Sequence, residues 1–143
     1  MLTRATEYAC LAMLYLAKQP AGKICFTAEI ARAERIPTPY LVKVVNLLVK
    51  AGLIVSRRGQ GGGIELARVA DTITLREIVE VTEGEIAFNV CTGSQDYTCF
   101  RTGCALRSAL HTAQLRYLES LESVTLASFA RGDAYPADQP ALI

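Results

Sequence analysis

Three cysteines close together in the sequence are the residues with the clearest chemical potential. The stretch CTGSQDYTCFRTGC holds Cys91, Cys99 and Cys104, separated by seven and four residues that include Gly, Ser, Thr and Asp. Thiols placed in this way can close a disulfide, bind zinc or hold an iron–sulfur cluster. Because the chain has five cysteines, no closed set of disulfides can use all of them.

The cellular compartment expected for the protein and the spacing of the three cysteines help to distinguish a disulfide, a zinc site and an iron–sulfur cluster. No uninterrupted apolar run reaches the roughly 18 residues of a membrane span, and the apolar N-terminus is interrupted by Glu7 with no clean cleavage site after it. We therefore expect a cytoplasmic protein with no membrane partner, in which thiols stay reduced and clustered cysteines bind metal or do redox chemistry. Zinc sites more often use tight Cys-x₂₋₄-Cys pairs than gaps of seven and four residues.

The two parts of the chain whose elements must position these cysteines differ in net charge. Residues 1–68 contain ten Lys and Arg against four Glu, a net charge of +6. The remainder has five Arg against ten acidic residues, a net charge of −5. Such a split indicates a basic module that faces a polyanion and an acidic module with another role.

Two helices joined by a tight turn are predicted in the basic module. A helix over residues 3–19, capped by Thr3, comes before this pair. The first helix of the pair is short and begins at Thr27. In the next helix Thr38 suits an N-cap, Pro39 the first helical position and Gly52 the C-terminal end. Its core-facing stripe is Leu41, Val44, Val45, Leu48 and Val49. The segment LIVSRRGQGGGIELA then predicts two short strands around a glycine-rich turn, which completes a mainly α winged helix-turn-helix with a small β-hairpin wing.

A helix in the major groove exposes the residues near its N-terminus to base edges. The candidate DNA-binding residues are Thr38, Tyr40, Val42 and Lys43 on this helix and Arg57, Arg58 and Gln60 on the wing. Lys43 can donate to guanine or phosphate, and the wing arginines can reach the backbone or the minor groove. A solvated basic face is the alternative interpretation. GQGGG lacks the residue order of a nucleotide-binding P-loop, so double-stranded DNA is the favoured partner.

A long helix is predicted after the cysteines, from Ala105 to about Val124. Apolar residues recur along it at the spacing of a coiled-coil seam: Leu106, Leu110, Ala113, Tyr117, Leu121 and Val124. Leu115 and Leu118 form a second apolar face, which favours packing on the same chain plus a homodimer. We divide the chain into a winged helix-turn-helix domain at 1–83, a cysteine loop at 84–104, a dimerisation helix region at 105–131 and a flexible tail at 132–143.

Residues 1–131 resemble the Rrf-type family of bacterial winged-helix transcriptional regulators, whose branches include IscR, NsrR and RirA. The resemblance rests on LTRATEYA, LVKVVNLLVKAGLI, RRGQGGGIELA, ITLREIVEVTEG, the three cysteines, and a long helix followed by VTLASFA. It implies a dimeric DNA-binding protein in which Cys91, Cys99 and Cys104 are thiolate ligands of an iron–sulfur cluster. It also favours a 4Fe–4S over a 2Fe–2S cluster.

A fourth ligand is implied by the same resemblance. In the IscR pattern it is a His three residues after the third cysteine, where this chain has Arg107, and His111 lies about 10 Å of helical rise beyond Cys104. In the NsrR pattern it is an acidic residue of the first helix of the partner subunit. Glu7 falls on that position in LTRATEY and is one methylene longer. A solvated glutamate near the start of a helix is the alternative interpretation.

These features together predict a cytoplasmic, dimeric transcriptional repressor that is not an enzyme. A cluster that senses iron, nitric oxide or redox state would control its binding to a near-palindromic operator. The alternative is a thiol/disulfide redox-switch protein or a redox enzyme that uses the loop cysteines without a cluster. No Cys-x-x-Cys pair or nearby base among the loop residues supports the enzyme.

Overall fold

The computed structural model describes residues 2–93 and 101–132, which form six α-helices and one β-hairpin. The helices are α1 (Arg4–Ala17), α2 (Thr27–Ala33), α3 (Thr38–Lys50), α4 (Leu75–Glu83), α5 (Ala105–Glu122) and α6 (Leu126–Arg131). The strands are β1 (Ile54–Arg57) and β2 (Gly63–Leu66), and short 3₁₀ turns span Ala70–Thr72 and Val90–Thr92. The predicted fold class, a mainly α winged helix-turn-helix with a hairpin wing, is confirmed. None of the helices in the described ranges is both long and apolar enough to cross a membrane.

One hydrophobic core holds the helix-turn-helix and the wing together. Met13 of α1, Ile30 of α2, Leu48 of α3 and Ile64 of β2 are all at most 3% exposed within it. Each such side chain contributes about 1.5–3 kcal/mol on leaving water. The predicted stripe of α3 supplies the centre of this core, since four of its five residues are buried and Val49 is half-buried.

The ends of α3 confirm one sequence prediction and correct another. Gly52 follows the helix with a φ of 73°, and its N–H donates to the carbonyl of Val49, as expected of a C-terminal glycine. Thr38 is not the N-cap. The carbonyl of Pro37 accepts the first hydrogen bonds, from the N–H groups of Tyr40 and Leu41, so the helix begins one residue earlier. The Thr38 side chain makes no cap and is exposed.

The wing is an antiparallel hairpin in which Arg57 pairs with Gly63 and Ile54 with Leu66. Cys25 extends this sheet beside β2 by a one-residue antiparallel bridge, because its N–H and carbonyl exchange hydrogen bonds of 2.9 and 2.8 Å with Ile64. Gly63 sits at this junction with a φ of 148°, and a Cβ there would lie 2.6 Å from the carbonyl oxygen of Cys25. The close approach therefore requires glycine.

A hydrogen bond sets α1 against α2. The hydroxyl of Tyr15 donates to Oε1 of Glu29 at 2.7 Å. This bond lowers the pKa of the Glu29 carboxyl and, together with burial, raises the pKa of Tyr15 to about 12. The first helix of the helix-turn-helix is thus fixed to the helix that carries Glu7.

The chain returns to the winged helix after α5. The N–H of Leu75 donates to the carbonyl of Val124 at 2.8 Å, and the N–H of Leu126 donates to the carbonyl of Ile73 at 2.7 Å. Leu126 is 1% exposed and belongs to the main core. α5 is therefore held at its C-terminal end by the domain that carries α3.

Candidate nucleic-acid interface and cluster loop

The outer face of α3 presents the four helix residues predicted to read DNA. Thr38, Tyr40, Val42 and Lys43 are all exposed, Tyr40 by 60% and Val42 by 41%. The ammonium of Lys43 lies 5.9 Å from the centre of the Tyr40 ring, a cation–π contact that keeps both side chains on one face. Asn46, three residues beyond Lys43, is also exposed on this helix. Asn46 was not among the residues predicted from the sequence, although its helical spacing from Lys43 points to the same face.

The wing arginines differ in how they are held. Arg57 is bound across the hairpin by Glu65, with Nε at 2.7 Å and Nη2 at 2.6 Å from Oε1. Arg58 and Gln60 lie in the turn between the strands and are exposed. Within the described residues no ion pair engages Arg58. Arg58 is therefore available to a phosphate, whereas Arg57 must share its guanidinium with Glu65.

The cysteines fall into two groups by location, those of the loop and those of the winged-helix domain. Cys91, in the 3₁₀ turn, and Cys104, directly before α5, are half-buried free thiols, and Cys99 lies outside the described residues. Cys25 is fully buried in the core, and burial raises the pKa of Cys10 to about 11. A raised pKa disfavours the thiolate that metals bind, so Cys10 and Cys25 are poor ligands.

The donor set fits an iron–sulfur cluster in its chemistry. Cys91 and Cys104 are half-buried thiols at the two ends of one loop, and thiolates are the ligands that iron–sulfur clusters use. Within residues 2–93 and 101–132, no three His, Cys, Asp or Glu residues are close enough to hold a metal ion. Cys99 and any residue from a second subunit lie outside that set.

Gln114 of α5 holds the segment that contains Cys91. Its Oε1 accepts a hydrogen bond of 2.9 Å from the N–H of Phe88, and its Nε2 donates one of 3.1 Å to the carbonyl of Thr92. The ring of Phe88 packs at 5.7 Å from that of Tyr117, one turn further along α5. Gln114 was not predicted from the sequence, because a glutamine on a long helix is typical of a surface residue.

The N-terminus of α1 is held by α4 rather than by its own cap. Thr3 is the N-cap residue of α1, as predicted, but its side chain makes no cap bond: its Oγ1 donates to Oε1 of Glu83 at 2.8 Å, as does its N–H. The buried hydroxyl of Thr6 donates to the same oxygen. These bonds, that from Thr6 foremost, lower the pKa of the Glu83 carboxyl. The first turn of α1 is therefore fixed to the end of α4, from which the cysteine loop departs.

Glu7 lies at the surface in this first turn. Its side chain is 51% exposed and accepts a hydrogen bond of 2.8 Å from Nη1 of Arg4. Arg107, which stands where the IscR pattern has a histidine, and His111 are both exposed and line one open cleft of about 590 Å³ with Cys104. Glu7 lines a different cleft, together with Thr3 and Cys10.

Most of α5 is exposed. Leu106 is 64% exposed and Ala113 is also exposed, whereas Leu121 of the same predicted seam is 8% exposed and packs on its own chain. Val124 lies beyond the helix, which ends at Glu122. The predicted seam is therefore split: Leu121 packs on the same chain, whereas Leu106 and Ala113 are exposed and could contact a second subunit.

The fold and this surface define a winged-helix DNA-binding protein. Over residues 2–132 the chain matches the family model described as Rrf2, iron-dependent transcriptional regulator. It is 36% identical over 126 residues to the HTH-type transcriptional regulator NsrR of Shouchella clausii, which covers 87% of this chain and 85% of that protein. The chain therefore belongs to the Rrf2 family and is a transcriptional regulator, not an enzyme.

Two solved structures are similar over most of their length. CymR (YrzC), the global cysteine regulator of B. subtilis, superposes with a TM-score of 0.78 at 28% identity, covering 92% of this chain and 97% of that one. T. potens IscR superposes with a TM-score of 0.73 at 28% identity, covering 98% of this chain and 92% of that one. The resemblance to the Rrf-type regulators inferred from the sequence is confirmed.

Proposed function

We propose that this chain is a cytoplasmic, dimeric repressor whose operator binding is controlled by an iron–sulfur cluster. Cys91, Cys99 and Cys104 would hold the cluster, with Glu7 of the second subunit as the fourth ligand. The observation that carries the proposal is the pair of half-buried thiols, Cys91 and Cys104, at the two ends of one loop anchored on α5. The chain that carries these thiols belongs to a family described as iron-dependent.

The chemistry of the loop suits a sensor. A bound cluster would supply a group that assembles only when iron is present and that oxidants or nitric oxide can damage. Three thiolates and one carboxylate oxygen would leave the oxygen as the weakest ligand. Because Arg4 already binds Glu7 at 2.8 Å, its guanidinium would compete with the cluster for the carboxylate. We favour a 4Fe–4S cluster on the resemblance alone.

The described residues also indicate how the operator would be read. Thr38, Tyr40, Val42 and Lys43 would contact base edges, and Arg57, Arg58 and Gln60 the backbone or minor groove. A two-fold dimer would place its two α3 helices on half-sites separated by one or more helical turns, so the operator would be a near-palindrome.

Anaerobic reconstitution tests the cluster. The protein is purified without oxygen, supplied with ferrous iron and sulfide, desalted and assayed for iron and acid-labile sulfide. Comparable amounts of both per chain support the proposal. A chain that remains free of iron but loses operator binding when its thiols are oxidised would contradict the cluster and favour the thiol redox switch.

Lys43→Ala and Arg58→Ala are expected to weaken DNA binding in different ways. Lys43→Ala should cost about 1–3 kcal/mol on the preferred operator and relax the sequence preference, because it removes a base contact. Arg58→Ala should weaken binding to all sequences and reduce the salt slope by about one, because it removes a phosphate contact. Dissociation constants are measured across salt concentrations on operator and scrambled DNA. Arg116→Ala, which removes an exposed arginine of α5, is the control. Two folded variants with unchanged affinity and slope would exclude these residues from the interface.

A further inference from the structure

Gln114 occupies an unexpected place on α5. It is 6% exposed, whereas Leu106 and Leu115 of the same helix are 64% and 45% exposed. Burying an amide is unfavourable unless its polar atoms are hydrogen-bonded, so a buried glutamine among exposed leucines needs a specific reason.

Both polar groups of the Gln114 amide bind the segment around Cys91. Its oxygen accepts from the N–H of Phe88 at 2.9 Å and its nitrogen donates to the carbonyl of Thr92 at 3.1 Å. The two contacts lie on either side of Cys91. One side chain therefore holds both ends of the five-residue segment 88–92 on α5.

The segment that Gln114 holds is closed on itself. The N–H and the hydroxyl of Thr92 both donate to the carbonyl of Asn89 at 2.9 Å, and the hydroxyl of Thr92 also accepts from the N–H of Asn89 at 3.1 Å. These hydrogen bonds fix the conformation of the turn around Cys91. The position of Cys91 relative to α5 thus depends on how the turn is attached: Gln114 makes two hydrogen bonds to it, beside the packing of the Phe88 ring on Tyr117.

We propose that Gln114 is a positioning residue for cluster binding, which holds the Cys91 turn against the helix that begins at Cys104. The inference rests on the proposed function, since it assigns Cys91 and Cys104 to one cluster. α5 carries Cys104 directly before its first turn and fixes the other described cysteine of the loop through Gln114. Residues that orient metal ligands in this manner are typically worth 10- to 100-fold in metal affinity.

Gln114→Leu tests the proposal, with Leu121→Ala as the matched control. Leu121 is the other buried residue of α5, so its truncation loosens the helix without touching the Cys91 turn. Reconstituted proteins are challenged anaerobically with an iron chelator, and cluster loss is followed by visible absorbance. Gln114→Leu should lose the cluster about 10- to 100-fold faster than the unmodified chain. Leu121→Ala should lower the unfolding temperature but keep the original rate of cluster loss.

Two further measurements separate positioning from general destabilisation. Gln114→Glu keeps the oxygen that accepts from Phe88 and loses the donor to Thr92, so its rate should fall between those of Gln114→Leu and the unmodified chain. In the cluster-free protein, hydrogen exchange at the Phe88 amide should accelerate in Gln114→Leu and not in Leu121→Ala. Equal rates of cluster loss in Gln114→Leu and the unmodified chain would overturn the role of Gln114. An unmodified chain that takes up no cluster would instead overturn the proposed function.

Discussion

Cys91→Ala, Cys99→Ala and Cys104→Ala are each expected to abolish stable cluster binding. If the three thiolates hold the cluster, removing one would leave iron with two sulfur ligands and weaker oxygen donors, which cannot retain a cluster during desalting. Iron and acid-labile sulfide per chain, measured after anaerobic reconstitution, should fall to background in all three variants. Operator binding should then no longer respond to iron supply.

Cys10→Ala is the control for these variants. Cys10 is half-buried on α1, and the pKa of its thiol is raised to about 11 by burial. It should therefore stay protonated and contribute nothing to iron binding. If Cys10→Ala lost its iron and Cys104→Ala retained it, the assignment of the loop cysteines would be wrong.

Leu106→Asp combined with Leu110→Asp is expected to convert the proposed dimer to monomers. Leu106 is 64% exposed, and Leu110, one turn later on the same face, is half-buried. Neither belongs to the hydrophobic core, so charges there would disrupt a partner contact rather than the core. Leu121 is unsuitable for this test because it is buried in its own chain. Without a dimer the two half-sites bind independently, and operator affinity should fall by about 100- to 10,000-fold. Sedimentation and operator titration measure the two effects.

Val69→Asp provides the comparison for the dimer prediction. Val69 is 72% exposed and lies outside α5, between the wing and α4, so a charge there should leave both the dimer and operator affinity intact. A tight dimer in the Leu106/Leu110 double variant would show that the subunits associate through another surface.

The sequence predicted the helix-turn-helix well, because that part of the fold depends on local signals. The stripe of α3 and the glycine at its end act over a few residues, and both were confirmed. The misplaced cap at Thr38 is an error of one residue, at a proline-rich boundary where Pro37 supplies the accepting carbonyl. Boundaries of this kind are the least certain feature of a helix.

The contacts that anchor the cysteine loop were not predictable in the same way. Glu83 binds Thr3 across 80 residues of the sequence, and Gln114 binds Phe88 across 26, so no short sequence pattern predicts either contact. The pairing of Arg57 with Glu65 likewise depends on the register of the hairpin. The sequence indicated which cysteines could act as ligands, and the structure adds the side chains that hold their segment in place.

The central claim is that cluster occupancy controls operator binding, and a paired titration tests it most directly. Operator affinity is measured anaerobically on one preparation of reconstituted dimer, before and after its iron is removed by a chelator. We expect the two affinities to differ by about 5- to 150-fold, the usual range of coupling between two sites, and the original value to return on reconstitution. Identical affinities for the cluster-bound and cluster-free dimers would contradict the account.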